Sequence, residues 1–230
     1  MKNKVLLILV AIISIFIITG CTESDAVKFK KEYESLNGTT INDKKVRSIN
    51  IDKNNPIIYK EAKDIIEMMD NKESFVVYFG FAKCPWCRSV IPTLLEVSKD
   101  EELDKIYYVD VLNIRDALEI DDEGNLTTTK QGTKDYYKLL EYFSDVLDDY
   151  SLADEDGNSI ETNEKRIYAP NVVSVVNGKA KDLTTGISEK QTDAYMKLTD
   201  EMKEETYNKF KCIIKCVLES KNTCSIKKEC

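Results

Sequence analysis

Cys84 and Cys87, separated only by a proline and a tryptophan, are the residues of this chain best suited to chemistry. The apolar run 75–79 before them predicts a buried strand, and the segment 88–95 after them predicts a helix. At a helix N-terminus, unpaired N–H groups and the helix dipole stabilise a thiolate at the first cysteine. We therefore expect Cys84 to be the nucleophile of disulfide exchange and Cys87 to resolve the mixed disulfide.

Half of a zinc site has the same spacing, so zinc is the alternative interpretation of this pair. The chain has no histidine, and its other clustered cysteines lie far away, near the C-terminus. A structural zinc site would therefore require four thiolates, two of them from those distant positions. The redox interpretation is favoured, and it implies no metal and no cofactor.

Two prolines make the surroundings of the pair resemble the thioredoxin family. Pro92 lies five residues after Cys87, where thioredoxins carry the proline that kinks their active-site helix. Ala169 and Pro170 precede a predicted strand at 172–176, as the cis-proline of the family does. The resemblance therefore implies a cis peptide bond at Pro170, although proline is only occasionally cis by default.

The resemblance covers about residues 46–188 and ends in a predicted hairpin, with a turn at 177–179 and a strand at 180–184. It implies an α/β, thioredoxin-like fold whose central mixed sheet is flanked by helices. The interval between the cysteines and the cis-proline is about twice that of thioredoxins. We therefore expect an insertion at about 113–168, before the cis-proline strand, which could shape a substrate groove.

The resemblance also implies where a substrate peptide binds. Pro85 and Trp86 begin the helix, and we expect an exposed Trp86 to contact substrate. Packing of Trp86 against the insertion is the alternative. Ala169 is expected to pair through its backbone with an extended peptide, because cis-Pro170 displays that edge.

Lys83 and Tyr78 are the candidate supporting residues for the two thiols. Lys83 is adjacent to Cys84, and its positive charge favours the thiolate. Thioredoxins usually carry a buried aspartate six residues before the first cysteine, and that position here is Tyr78. The chain therefore lacks the carboxylate that would transfer protons to the resolving thiol at this position. It also lacks the active-site histidine of strong disulfide oxidases, and the direction of electron flow stays open.

The first 20 residues predict a bacterial lipoprotein signal peptide. Lys2 and Lys4 precede the apolar run 5–18, which is short for a membrane span and suits a signal peptide. The run ends in Ile-Thr-Gly-Cys, which resembles a lipobox and implies diacylation of Cys21. An uncleaved N-terminal anchor is the alternative. Either arrangement leaves the remaining chain on the outer face of the cytoplasmic membrane.

The number of cysteines fits an exported protein. The chain has seven cysteines, and four of them lie in its last 19 residues. An oxidising compartment permits two structural disulfides there, and we favour pairing Cys212 with Cys230 and Cys216 with Cys224. Three connectivities are possible for four cysteines. A second redox relay and a soft-metal site are the alternatives to a structural staple.

The charge of the mature chain limits its partners. Without Lys2 and Lys4 the chain carries 31 basic and 41 acidic residues, a net charge of −10. This balance argues against nucleic acid or an anionic membrane surface as a ligand. The expected partners are exported cysteine-containing proteins or peptides and a membrane thiol–disulfide electron donor or acceptor. The lipid anchor provides contact with the membrane.

Two other function classes stay open. The chain could be a non-enzymatic binding lipoprotein that uses the fold as a scaffold. It could also be an accessory factor for disulfide formation in one exported peptide, because Tyr-Phe-Gly before the cysteines loosely resembles bacteriocin accessory thioredoxins.

Local patterns predict the remaining elements. Residues 21–45 predict a tether that carries a short helix at 27–36. Three further elements are predicted before the insertion: a strand at 46–51, a helix at 59–69 and a strand at 106–111. The helix after the cysteines is predicted to span 87–99.

The insertion and the C-terminal extension each predict a helix. The insertion helix spans 133–147 and is flanked by acidic turns at 121–125 and 154–158, for which calcium binding is the less favoured interpretation. A capping-box pattern at 188–191 predicts that a long C-terminal helix begins at Ser188. This extension, 189–230, carries the four clustered cysteines.

Overall fold

The computed structural model describes residues 23–121, 124–153 and 159–221. Cys21, Cys224, Cys230 and the acidic turn at 154–158 lie outside these ranges. Within them, no helix has both the length and the apolar composition that a membrane span requires.

The described residues form five α-helices and eleven strands. The helices are α1 (Asp25–Glu34), α2 (Ala62–Asp70), α3 (Pro85–Asp100), α4 (Lys134–Phe143) and α5 (Asp200–Leu218), with a 3-10 turn at Glu219–Lys221. The strands are β1 (Thr40–Ile41), β2 (Lys44–Lys45), β3 (Ile57–Tyr59), β4 (Phe75–Gly80), β5 (Ile106–Asp110), β6 (Ala117–Ile120), β7 (Leu126–Lys130), β8 (Asp149–Ala153), β9 (Ser159–Lys165), β10 (Asn171–Val176) and β11 (Lys179–Thr184).

A mixed five-stranded sheet is the centre of the molecule, which confirms the expected α/β class. Its strand order is β11-β10-β4-β5-β3. Strands β3, β4 and β5 are parallel, and β10 is antiparallel to both β4 and β11. Every residue of β4 and β10 is buried because helices cover both faces of the sheet. Helices α1, α3 and α5 pack on one face, and α2 and α4 pack on the other.

Helix α1 forms as expected but belongs to the core rather than to a tether. Phe29 and Tyr33 are fully buried, and the Phe29 ring lies 5.1 Å from the ring of Tyr108 on β5. The Asp25 carboxylate accepts a hydrogen bond from the N–H of Tyr59 at the edge of the sheet. This packing brings Tyr33 next to the centre of the sheet.

The strand predicted at 46–51 does not form, and β3 occupies the edge of the sheet instead. Side chains of the α1 region satisfy the backbone of this segment. The Ile49 N–H donates to the Asn37 side chain, and the Ile51 N–H donates to the Glu34 carboxylate. With these partners the segment runs extended without joining a strand ladder.

Several helix boundaries differ from the predicted ones. The helix predicted at 59–69 begins at Ala62, because Tyr59 still pairs in β3 and Glu61 caps the helix. The helix predicted at 133–147 has its N-cap at Thr133 and ends at Phe143.

The C-terminal helix begins at Asp200, so the predicted start at Ser188 is wrong. Thr199 is the N-cap and accepts a hydrogen bond from the Met202 N–H. Ser188 instead lies in a turn that packs against α5. Its hydroxyl donates to the Glu205 carboxylate, which thereby holds this turn on α5.

Glu205 should therefore stabilise the fold in a pH-dependent way. Hydrogen bonds from Lys209, Ser188 and the Glu189 N–H lower the pKa of Glu205 to about 2. The unfolded chain titrates near the ordinary value of about 4.3. Glu205→Gln should lower the free energy of unfolding by about 1 kcal/mol at neutral pH. Since the folded pKa is the lower one, this difference should shrink as pH falls from about 4 towards 2.

Urea unfolding of both proteins at neutral and acidic pH measures this difference. Glu204→Gln is the matched control, because Glu204 is exposed on the same helix. Equal stability of Glu205→Gln and wild type at neutral pH would contradict the prediction.

Candidate functional site

Cys84 and Cys87 lie at the N-terminus of α3, as predicted. Cys84 is the N-cap, and its sulfur accepts a hydrogen bond of 3.1 Å from the Cys87 N–H. Pro85 occupies the first helical position, where its missing N–H leaves no donor unpaired. Both cysteines are free thiols and both are buried. The sulfur of Cys84 thus faces the positive end of the helix.

The environments of the two thiols push their pKa values in opposite directions. A hydrogen bond from the Cys87 side chain is the largest cause that lowers the pKa of Cys84, and the N–H groups of Cys87 and Trp86 add to it against the opposing effect of burial. Burial, followed by the bond to Cys84, raises the pKa of Cys87 well above its ordinary value. Cys84 is therefore the more readily ionised thiol of the pair, and Cys87 holds its proton more tightly.

Arg115 supplies a positive charge that contributes to the low pKa of Cys84. It lies in the insertion, and its guanidinium carbon is 5.2 Å from the centre of the Phe81 ring. Sequence reasoning chose the adjacent Lys83, whose side chain is exposed. The Arg115 contribution depends on how the insertion folds back over β4, which no local pattern reveals.

Neutralising Arg115 should make Cys84 less reactive. Arg115→Gln should raise the pKa of Cys84, because a positive charge that favours the thiolate is lost. At neutral pH a smaller fraction of Cys84 is then thiolate, so alkylation by iodoacetamide should slow. The pH dependence of the alkylation rate, followed by mass spectrometry, measures this change.

Lys83→Gln is the matched control for charge, and we expect its alkylation profile to stay close to that of wild type. A larger effect from Lys83→Gln than from Arg115→Gln would restore the original assignment of Lys83.

The peptide bond between Ala169 and Pro170 is cis, as predicted. The Cys84 thiol donates a 3.2 Å hydrogen bond to the Ala169 carbonyl. This proximity follows from the sheet, because the antiparallel pairing of Asn171 with Phe79 sets the start of β10 beside the end of β4. Two segments far apart in the sequence thus meet at the reactive sulfur.

Trp86 is partly buried and packs against the core, so the expected exposed side chain is not observed. Pro85, also partly buried, lines a shallow depression with Lys83, Ile41 and Tyr195. Substrate contact by Trp86 and Pro85 stays a prediction.

Tyr78 lies behind the two thiols and is fully buried. A hydrogen bond from the Tyr78 side chain lowers the pKa of Cys87 against the larger, opposing effect of burial. Its hydroxyl oxygen is also 2.8 Å from the hydroxyl oxygen of Tyr33 on α1. Sequence reasoning proposed Tyr78 as a supporting residue and missed Tyr33, whose helix was expected to lie outside the domain.

Arg88 is a buried cation that holds the site together, and sequence reasoning missed it. Its side chain is only 1% exposed. It donates to the backbone carbonyls of Tyr33, Arg47 and Ala82. It also donates to the Asn37 side chain at 2.8 Å. Arg88 thereby connects α1 and the segment after it to the loop that precedes Cys84.

Cys212 and Cys216 lie one turn apart on α5, and Cys216 is buried. Cys224 and Cys230 are outside the described residues, so the two C-terminal disulfides stay a prediction. The same holds for lipidation of Cys21.

No metal site is found among residues 23–121, 124–153 and 159–221, where no cluster of three or more His, Cys, Asp or Glu side chains could hold an ion. At the first acidic turn, the Asp121 carboxylate accepts a hydrogen bond from the Asn125 N–H at 2.8 Å. This contact is ordinary turn geometry.

No protein-family model matches the chain, and no curated protein is significantly similar to it in sequence. The geometry around Cys84 is therefore the basis for assigning a function.

Proposed function

We propose that this chain is a thiol–disulfide oxidoreductase of the extracytoplasmic space that acts on exported proteins or peptides. One observation carries the proposal. Cys84 caps a helix beside cis-Pro170 and has a lowered pKa, while its partner Cys87 has a raised one. A reactive thiolate next to a proton-holding thiol is the pair that disulfide exchange requires.

We further propose that the fold is thioredoxin-like. Three features support this in the order that the sequence resemblance implies. Strand β4 precedes Cys84, the cis peptide bond at Pro170 precedes β10, and β10 and β11 form an antiparallel hairpin. The insertion at about 113–168 contributes α4 and two hairpins between β5 and this last pair of strands.

The exchange has two steps. The Cys84 thiolate attacks one sulfur of a substrate disulfide, forms a mixed disulfide and releases the other sulfur as a thiolate. Cys87 then loses its proton and attacks the Cys84 sulfur, which releases the second substrate sulfur. The substrate gains two electrons and two protons as two thiols, one proton from Cys87 and one from solvent, and Cys84 and Cys87 become a disulfide.

The proposal leaves the direction of electron flow to the redox partner. A membrane dithiol donor would keep Cys84 and Cys87 reduced, and an acceptor would keep them oxidised. Lipid on Cys21 would hold the domain near such a partner.

A dithiol-driven insulin reduction assay tests the proposal. The purified protein should accelerate precipitation of the insulin B chain by dithiothreitol, and a variant with serine at both Cys84 and Cys87 should not. If wild type matches that double variant, the binding-scaffold alternative takes the place of this proposal. An activity confined to one exported peptide would instead favour the accessory-factor alternative.

A further inference from the structure

Resolution of the mixed disulfide requires a thiolate at the most buried sulfur of the site. Cys87 is fully buried, and burial disfavours the charged form of its thiol. Some neighbouring group must therefore stabilise the charge that develops on Cys87 when it attacks. Position 78, where a carboxylate would stand in the related family, holds a tyrosine.

Two buried tyrosine hydroxyls, those of Tyr78 and Tyr33, form a chain of hydrogen bonds that begins at Cys87. Tyr78 hydrogen-bonds to Cys87 and to Tyr33, whose hydroxyl oxygen is 2.8 Å away. Both rings are fully buried, so water does not compete for these hydroxyls. A hydroxyl has one proton to donate. If Tyr78 gives its proton to the sulfur of Cys87, Tyr33 must be the donor in the bond between the two tyrosines.

Both tyrosines act as donors rather than as bases. Burial is the largest cause that raises the pKa of Tyr78, and the same holds for Tyr33. Both therefore stay protonated when Cys87 ionises. A neutral hydroxyl in a buried site can donate a hydrogen bond that stabilises a neighbouring anion, and it keeps its own proton while it does so.

The surrounding residues fix the position of the Tyr78 ring. The ring stacks on Tyr108, with 5.3 Å between ring centres. A Cβ atom at Gly80 would overlap the Tyr78 hydroxyl, so glycine at this position leaves the room that the hydroxyl occupies. The Tyr108 hydroxyl points elsewhere and donates to Glu32.

We propose that Tyr33 and Tyr78 form a neutral hydrogen-bond relay that stabilises the Cys87 thiolate while it attacks the mixed disulfide. Tyr78 hydrogen-bonds to the reacting thiol and is therefore a catalytic residue, whereas Tyr33 acts through Tyr78 and is a positioning residue. The Cys87 proton ends on the departing substrate thiolate, and both tyrosines keep their own protons. This relay rests on the proposed function.

Single-turnover kinetics separate the two steps of the reaction. Reduced protein is mixed with a model peptide disulfide, and the formation and decay of the mixed disulfide are followed by acid quenching and mass spectrometry. Tyr78→Phe should slow decay about tenfold or more, because a hydrogen bond to a charged group is lost. Formation, which depends on Cys84, should keep its rate. Tyr33→Phe should give a smaller slowing of the same step.

Two further variants distinguish the relay from a packing effect. Tyr108→Phe removes a neighbouring buried hydroxyl outside the relay and should leave both steps unchanged. Gly80→Ala keeps the Tyr78 hydroxyl but displaces it, and should slow decay as Tyr78→Phe does. The relay is refuted if Tyr78→Phe resolves at the wild-type rate, or if Tyr108→Phe slows decay equally.

A titration tests the same hydrogen bond without turnover. In a Cys84→Ala background, the pH dependence of Cys87 alkylation, read by mass spectrometry at the peptide that contains Cys87, reports the ionisation of this thiol. Removing the Tyr78 hydroxyl should raise the pKa of Cys87, and an unchanged pKa would overturn the relay. If wild type forms no mixed disulfide at all, the proposed function fails, and this titration still decides whether the hydrogen bond exists.

Discussion

Cys84→Ser should abolish disulfide exchange. The serine hydroxyl can still cap α3, but it ionises far less readily than a thiol and cannot form a disulfide. The variant should therefore fold normally and lose activity down to the uncatalysed background. Thermal unfolding by circular dichroism and the insulin assay measure the two properties separately.

Cys87→Ser should trap substrates instead. The Cys84 nucleophile remains, but no second thiol attacks the mixed disulfide, so covalent complexes should accumulate. Non-reducing electrophoresis of cells expressing this variant should show additional bands that disappear on reduction. The captured proteins would identify the substrates and indicate whether exported proteins are oxidised or reduced.

A variant with serine at both positions is the control for complexes through the C-terminal cysteines, which it retains. Trapping by Cys84→Ser but not by Cys87→Ser would reverse the assignment of nucleophile and resolving thiol. Unchanged activity in both single variants would refute the redox function.

Arg88→Met should cause the largest loss of stability among single substitutions that leave both thiols in place. The side chain is buried, and its guanidinium donates to four acceptors. Removing it leaves buried oxygens without donors. We expect the free energy of unfolding to fall by about 3 kcal/mol or more, because each buried acceptor left without a donor costs about 1–3 kcal/mol. Urea unfolding followed by circular dichroism measures this change.

Two controls accompany this prediction. Lys105→Met removes an exposed cation and should change the free energy of unfolding by less than about 0.5 kcal/mol. Arg88→Lys keeps the charge but loses the planar fork of donors, so its stability should fall between those of wild type and Arg88→Met. Equal urea midpoints for Arg88→Met and wild type would contradict the role assigned to the guanidinium.

Local signals in the sequence were sufficient for the reactive centre and most of the sheet. The cis peptide bond at Pro170 was implied by the family resemblance, whereas the strand before Cys84 and the helix after it were predicted from short segments. These features depend on residues adjacent in the chain: apolar runs make buried strands, and a helix N-terminus lowers a thiol pKa wherever it occurs.

Local patterns failed where backbone groups had partners from distant segments. The residues at 46–51 read as a strand, yet side chains of α1 and the loop after it accept their hydrogen bonds. The Ser188 pattern read as a helix start, yet its hydroxyl binds Glu205 on the helix that begins at Asp200. A local pattern indicates which hydrogen bonds a segment is able to make. The tertiary structure determines which donors and acceptors lie close enough to form them.

Only the tertiary structure revealed the residues that complete the candidate site. Tyr33 comes from the N-terminal helix, Arg115 from the insertion and Arg88 from the first turns of α3, and all three act on or around the two thiols. Hydrogen bonds and Coulomb interactions depend on distance in space, not on separation along the chain. The sequence by itself thus determined that Cys84 and Cys87 lie together at a helix N-terminus, and the packing of α1 and the insertion decided which groups surround them.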